Sequence, residues 1–184
     1  MKNKGFTLVE VLAMLVVLGI IVGITMPNIT GILGNQKINA WSDDAENMIN
    51  SAKTEVSTNN KIKLPKESNN CIVLPLALID KNSDIKEDPD GEEYDRYSSF
   101  VLVMLKDRQY LYYVRLVANR TNVTNEHYGI LGATESDLSG DDTSYIGEIK
   151  SGDYTSITKS DVNVSFNSGD KFRAMCNNTI IVSN

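Results

Sequence analysis

The 184-residue chain is poor in the residues that build most active sites. It has one histidine, His127, two cysteines, one tryptophan and four prolines. A single histidine excludes a His-rich metal centre. No serine or cysteine stands in a recognisable nucleophile, base and orienter pattern, so enzymatic activity is not expected. Basic charge is short as well: 18 Lys and Arg face 24 Asp and Glu, a formal charge of −6. Phosphate binding needs a basic surface, so direct nucleic-acid contact is not expected. Arginine is scarce beside 13 lysines and 19 asparagines, the composition of an AT-rich bacterial genome. There is no internal repeat.

Long apolar runs are also missing, with one exception. Phe6 to Met26 is 21 residues with a single charge, Glu10. As a helix this run would be about 31 Å long, enough to cross a bilayer core. A carboxylate near the start of such a helix costs about 2.5 kcal/mol or more unless it is partnered, so Glu10 is a functional candidate. The basic start, Lys2 and Lys4, stays cytoplasmic while the bulk of the chain crosses. Ile24-Thr25-Met26-Pro27-Asn28 offers no small-residue cleavage site after the run, unlike an ordinary secretory signal.

Lys4-Gly5-Phe6-Thr7-Leu8-Val9-Glu10 resembles the prepilin signature of type IV pilins and pseudopilins. The resemblance covers about residues 4 to 60. It implies cleavage between Gly5 and Phe6 by a prepilin peptidase, N-methylation of Phe6, and an assembly role for Glu10, the fifth mature residue. It also implies a filament of like subunits, built by inner-membrane assembly machinery from a precursor anchored in the cell membrane. Loss of Lys2 and Lys4 leaves 16 basic against 24 acidic residues, a formal charge of −8. Gly19 and Pro27 match the family's helix-weakening positions. Gly19 and Gly23 form a small-xxx-small spacing that lets helices approach closely, and each weakens the helix, as does Pro27.

After Pro27 the pattern turns amphipathic. Trp41, Ala45, Met48, Ile49, Ala52 and Val56 recur at helical spacing. A helix from Phe6 to about Thr58 follows, ended near Asn59-Asn60 and Pro65. Cys71 to Ile79 reads as a strand or connector, with Pro75 placing it at a sheet edge. Ser99–Leu105 and Tyr110–Val117 are the clearest strands, joined by a tight turn at Lys106-Asp107-Arg108-Gln109. One face of this hairpin is expected to cover the helix, the other to meet solvent or a neighbour. Tyr128–Leu131, Tyr145–Ile149, Val162–Phe166 and Thr179–Val182 are shorter extended candidates, with a turn at Asn167-Ser168-Gly169-Asp170.

The expected fold is α+β: a long N-terminal helix packed on a C-terminal antiparallel sheet. Residues 1–5 are the leader, 6–60 the helix with 6–26 its transmembrane half, and 61–184 the globular head. Cys71 and Cys176, 105 positions apart, are expected to pair outside the cytoplasm, the alternative being two buried thiols. No cofactor is expected beyond calcium, for which Asp84, Asp88, Asp90 and Glu92 around Gly91 are the candidate ligands. Their spacing is not that of an EF-hand, and a solvated acidic loop is the preferred reading. Asp137, Asp141 and Asp142 form a weaker candidate, and two glycosylation sequons at Asn119 and Asn122 read as chance. The expected function is a structural subunit of a type IV pilus-like filament, major or minor. The alternatives are a pseudopilin of a type II secretion or competence (DNA uptake) system, and an adhesive binding module at a filament tip.

Overall fold

The computed structural model describes residues 8–119, 126–140, 142–150 and 152–182. Helical backbone, α1, covers Leu8–Thr58. The chain divides into two compact units, Met1–Lys37 and Ile38–Asn184. Gly5 and Phe6 lie outside the described residues. Helical backbone runs through Gly19, Gly23 and Pro27.

The second unit begins with the last part of α1 and continues into a six-stranded sheet. In chain order follow β1 (Asn70–Pro75), α2 (Leu76–Ile79), β2 (Phe100–Lys106), β3 (Gln109–Ala118), β4 (Glu126–Thr134), α3 (Glu135–Leu138), β5 (Ile146–Lys150), a 3-10 turn (Lys171–Ala174) and β6 (Asn178–Ile181). The sheet order is β5-β4-β3-β2-β1-β6. All neighbours are antiparallel except β1 and β6, which run parallel. The sheet is therefore mixed, and Pro75 does not mark an edge strand. Proline is tolerated there because β6 pairs only with Asn70 to Val73, so the ladder on that side has ended before Pro75.

The β2–β3 turn forms as the sequence suggests. Asp107 and Arg108 both have positive φ, 50° and 64°, the geometry a two-residue type I′ hairpin demands. Between β3 and β4 the register shifts from Val114 to Leu116. Gly129 allows this close approach: a Cβ there would stand 1.9 Å from the Leu116 carbonyl oxygen. Val162–Phe166 is not a strand. Only Asn163 makes a bridge, to Ile180 of β6.

Strand alternation distributes side chains to two cores. Val101, Val103, Val114 and Leu116 meet Trp41, Ala45, Met48, Ile49 and Ala52 of α1. On the opposite face Phe100, Leu102 and Met104 meet Ile157, Phe166 and Phe172. That second face was expected to meet solvent or a neighbour; the loop-rich segment after β5 covers it instead. Cys71 is bonded to Cys176, tying β1 to the end of this covering segment.

Arg115 of β3 anchors the cover. It is fully buried, and its two terminal nitrogens donate to Asp170 at 3.0 and 2.7 Å. Its guanidinium lies 4.8 Å from the ring centres of both Phe100 and Phe172. Asp170 also accepts from the backbone N–H groups of Phe172 and Thr155, at 3.0 and 2.7 Å. Burial pushes the Asp170 carboxyl up, but the Arg115 guanidinium and these N–H groups outweigh it and hold the carboxyl below its ordinary value.

Two outcomes are expected. Non-reducing peptide mapping recovers Cys71 and Cys176 in one cross-linked peptide; two freely alkylated thiols would contradict the bond. Asp170→Ala, which strands the Arg115 charge, costs about 3 to 5 kcal/mol in urea denaturation at pH 7. Because the folded Asp170 is the stronger acid, its contribution is full above the unfolded value near 3.8 and fades as pH falls through the folded one. The deficit of Asp170→Ala therefore shrinks below about pH 4.

Candidate functional site

Every consecutive position from Leu8 to Leu18 is solvent-exposed, so apolar side chains emerge on all sides of this part of α1. Leu8 is 81% and Leu15 64% exposed. A helix apolar all round belongs in a larger core or in lipid, because water on every face forfeits the hydrophobic gain. Glu10 is exposed in the first turn and is the acidic residue there. Among the described residues no helix is long and apolar enough to cross a membrane. The run expected to do so, residues 6–26, extends beyond those whose side chains are described.

The acidic loop folds on itself. Lys86 to Tyr94 make a small hairpin: Tyr94 N–H donates to the Lys86 carbonyl at 2.9 Å and Asp88 N–H to that of Glu92 at 2.8 Å. Asp88 is 5% exposed, and its Oδ1 accepts from the N–H groups of Asp90 and Glu92 at 2.8 and 2.9 Å. Gly91, at φ 86°, closes the turn. Asp88 thus spends Oδ1 on the local backbone, the pattern of an Asx turn, while its Oδ2 is buried with no hydrogen-bond partner among the described residues. Asp84 has an exposed side chain, and its N–H donates to Asp80 Oδ1. Among the described residues no three His, Cys, Asp or Glu side chains are grouped to hold a metal. Asp84, Asp88, Asp90 and Glu92 are not brought together as a calcium site.

In the weaker acidic candidate the described carboxylates also accept from nearby groups of the chain. Asp137 closes a capping box on α3, accepting from the N–H and hydroxyl of Thr134. Asp142 accepts from the Ser144 N–H at 2.9 Å, and Asp141 lies outside the described residues.

The hairpin is held to α1 by an aromatic pair and one hydrogen bond. Tyr94 sits edge-on to Trp41 with ring centres 5.3 Å apart, and its hydroxyl donates to Asp44 Oδ2 at 2.8 Å. Burial pushes the Asp44 carboxyl up; the Tyr94 hydroxyl opposes this, and the charges of Asp43 and Asp88 reinforce it. Burial, with Asp44 and Asp88, also raises the Tyr94 hydroxyl far above its usual value, so it remains a donor. Neither Asp44 nor the Arg115–Asp170 pair stood out in the sequence. The available signal for Arg115 was its place in an otherwise apolar and aromatic strand, in phase with Leu111 and Tyr113.

Residues 1–26 match the family model for the prokaryotic N-terminal methylation motif, the prepilin-type signature of type IV pilins and pseudopilins. No curated protein and no solved structure matches the chain. The signature supports a pilin-like or pseudopilin subunit that assembles with others of its kind.

The Asp44 geometry predicts a pH effect. An acid weakened by folding costs stability wherever it is ionised, and the cost disappears as pH falls below its unfolded value near 3.8. Asp44→Asn keeps an oxygen to accept from Tyr94 and removes the charge. Its stability relative to the parent is expected to be higher at pH 7 than at pH 3 in paired denaturation curves; the reverse order would contradict the assignment.

Proposed function

We propose that this chain is a structural subunit of a type IV pilus-like filament. The observation that carries the reading is the methylation motif at residues 1–26, which places one carboxylate, Glu10, among exposed apolar helical residues. In this reading a prepilin peptidase cuts after Gly5 and the new N-terminus at Phe6 is methylated. The first helix anchors the precursor in the membrane with its start in the cytoplasm. It then leaves lipid for the filament core, and the head ends outside the cell. The Cys71–Cys176 bond supports that destination, since disulfides persist in oxidising compartments. The role is architectural, and no catalytic group is assigned.

The proposed part for Glu10 follows from charge burial. Cleavage creates an α-amino group at Phe6 that is positive near neutral pH. Within a filament core or lipid, an isolated ion of either sign is costly. The ammonium of an incoming subunit that meets Glu10 of a docked one neutralises both. Such a pair rewards one axial register, which apolar packing against lipid does not specify. A heterologous contact repeated in one direction then builds an open helical polymer.

Two measurements test this. Intact-mass and N-terminal peptide analysis is expected to show a mature chain that begins at Phe6 with one N-methyl group; a start beyond Met26 would overturn the reading. Tagged Glu10→Ala subunits are expected to be cleaved and membrane-bound as usual, yet depleted in sheared filaments. Loss of one partner of a buried pair costs about 3 to 5 kcal/mol, ample to abolish entry into the shaft. Wild-type incorporation of Glu10→Ala within the shaft would refute the register role.

A further inference from the structure

The head carries opposite charges at two separated places. The segment after α1 presents Lys61, Lys63 and Lys66, all exposed, while Ile62 and Leu64 turn inward to the helix-side core. The β2–β3 turn presents Lys106 and Arg108 beside it, both exposed. The two are tied together: the Tyr110 hydroxyl donates to the Pro65 carbonyl at 3.1 Å, and Asn69 N–H to that of Leu105 at 3.3 Å. Five cations therefore share one edge, against two acids in the same segments, Glu67 and Asp107. Among the described residues none of the five makes an ion pair within the chain.

The acidic hairpin, residues 86–93, lies elsewhere. It holds Glu87, Asp88, Asp90, Glu92 and Glu93 with one cation, Lys86. Its base, Tyr94, is pinned at Trp41 and Asp44, whereas the basic edge follows the end of α1 at Thr58. Fourteen residues of helix separate those levels, about 21 Å along its axis. Sheet register agrees. The β2–β3 turn stands at the Asn70 end of β1, while α2 and the loop that leads to the acidic hairpin leave from the Pro75 end.

We infer that the basic edge of one head docks on the acidic hairpin of the next, so that the partner of each patch is a second copy of this chain. The inference rests on the filament reading above and deepens it. A net of +3 on one edge faces a net of −4 on the hairpin, counted over residues 61–67 with 106–109 and over 86–93. The two patches differ, so their contact is head-to-tail, and its repetition leaves an open array rather than a closed dimer. Displacement along the helix of the head sets the order of heads along that direction. Opposite charges steer the encounter and make the inverted arrangement costly, since like ends would then face each other. Exposed pairs of this kind are weakened by salt over a Debye length of about 10 Å at 0.1 M.

The experiment uses full-length tagged chains in cells. Lys63→Glu with Lys106→Glu reverses the basic edge; Asp90→Lys with Glu93→Lys reverses the hairpin. Each pair is expected to reduce recovery in sheared filaments at least about tenfold with membrane levels unchanged, and all four together to restore it, because the ends are again complementary. Wild-type recovery of either reversed pair, or a fourfold variant no better than the pairs at equal membrane level, would overturn the inference. A second arm does not need filaments. Copies with Lys63→Cys and copies with Asp90→Cys, co-expressed and treated in membranes with a mild thiol oxidant, are expected to form a disulfide-linked mixed dimer at low salt and to form it poorly when the oxidation is carried out at high salt. No mixed dimer where filaments form overturns the contact. A mixed dimer without filaments supports the contact and removes the filament reading instead.

Discussion

The Arg115–Asp170 pair is the constraint on which the head depends. An uncompensated charge in this core would cost several kcal/mol, so the fold must deliver Asp170 to a fixed point over β3. That requirement decides where the segment from Tyr154 to Met175 lies. Once Asp170 is in place it caps the 3-10 turn through the Phe172 N–H and holds Thr155, and Phe172 then closes over Phe100 and the guanidinium. Gly132 has no Cβ because Phe172 occupies that space: one built there would stand 2.8 Å from the ring. A few polar contacts thereby seat a segment that has little regular structure of its own. The Cys71–Cys176 bond fastens the end of the same segment to β1.

The two units answer to different environments. From Ile38 onward α1 has one buried stripe, Trp41, Ala45, Met48, Ile49 and Ala52, and an opposite face of polar residues, the usual compromise between core and water. From Leu8 to Leu18 no such division exists, and every position is open. An apolar surface open on every side is one that lipid or a bundle of helices would cover. The acidic hairpin's one buried carboxylate, Asp88, gives Oδ1 to local N–H groups, and five acids against the single Lys86, which pairs with Glu87 and Glu93, leave the hairpin net negative.

Much of the fold was legible where periodicity is strong. The stripe at helical spacing after Ile38 predicted the face that α1 buries, and the runs at Ser99 and Tyr110 predicted the central hairpin with a tight turn between them. Short apolar runs were less informative. Val162–Phe166 alternates as a strand does, yet only Asn163 bridges β6, because Phe166 is drawn into the cluster around Phe172. Pro75 suggested an edge, and the sheet instead ends its ladder before the proline. For the site, the methylation motif was legible because it is local: a glycine, an apolar run and one carboxylate at fixed spacing. The acidic loop read first as a solvated loop and only second as a set of calcium ligands, because composition shows carboxylates without showing which way they turn.

By itself the sequence determined the N-terminal signature, the class of the fold, and the presence of two cysteines 105 positions apart that were free to pair. Each of these rests on neighbours in the chain, or on a count. Only the tertiary structure decided that both faces of the sheet are covered, that β6 joins β1 in parallel, and that Arg115 meets Asp170 across 55 residues. It also decided that the lysines after α1 and the β2–β3 turn share one edge, away from the acidic hairpin. The physical reason is distance in sequence. Helical and strand periods carry information over a few residues, whereas ion pairs, strand order and charge placement depend on which distant segments the core brings together.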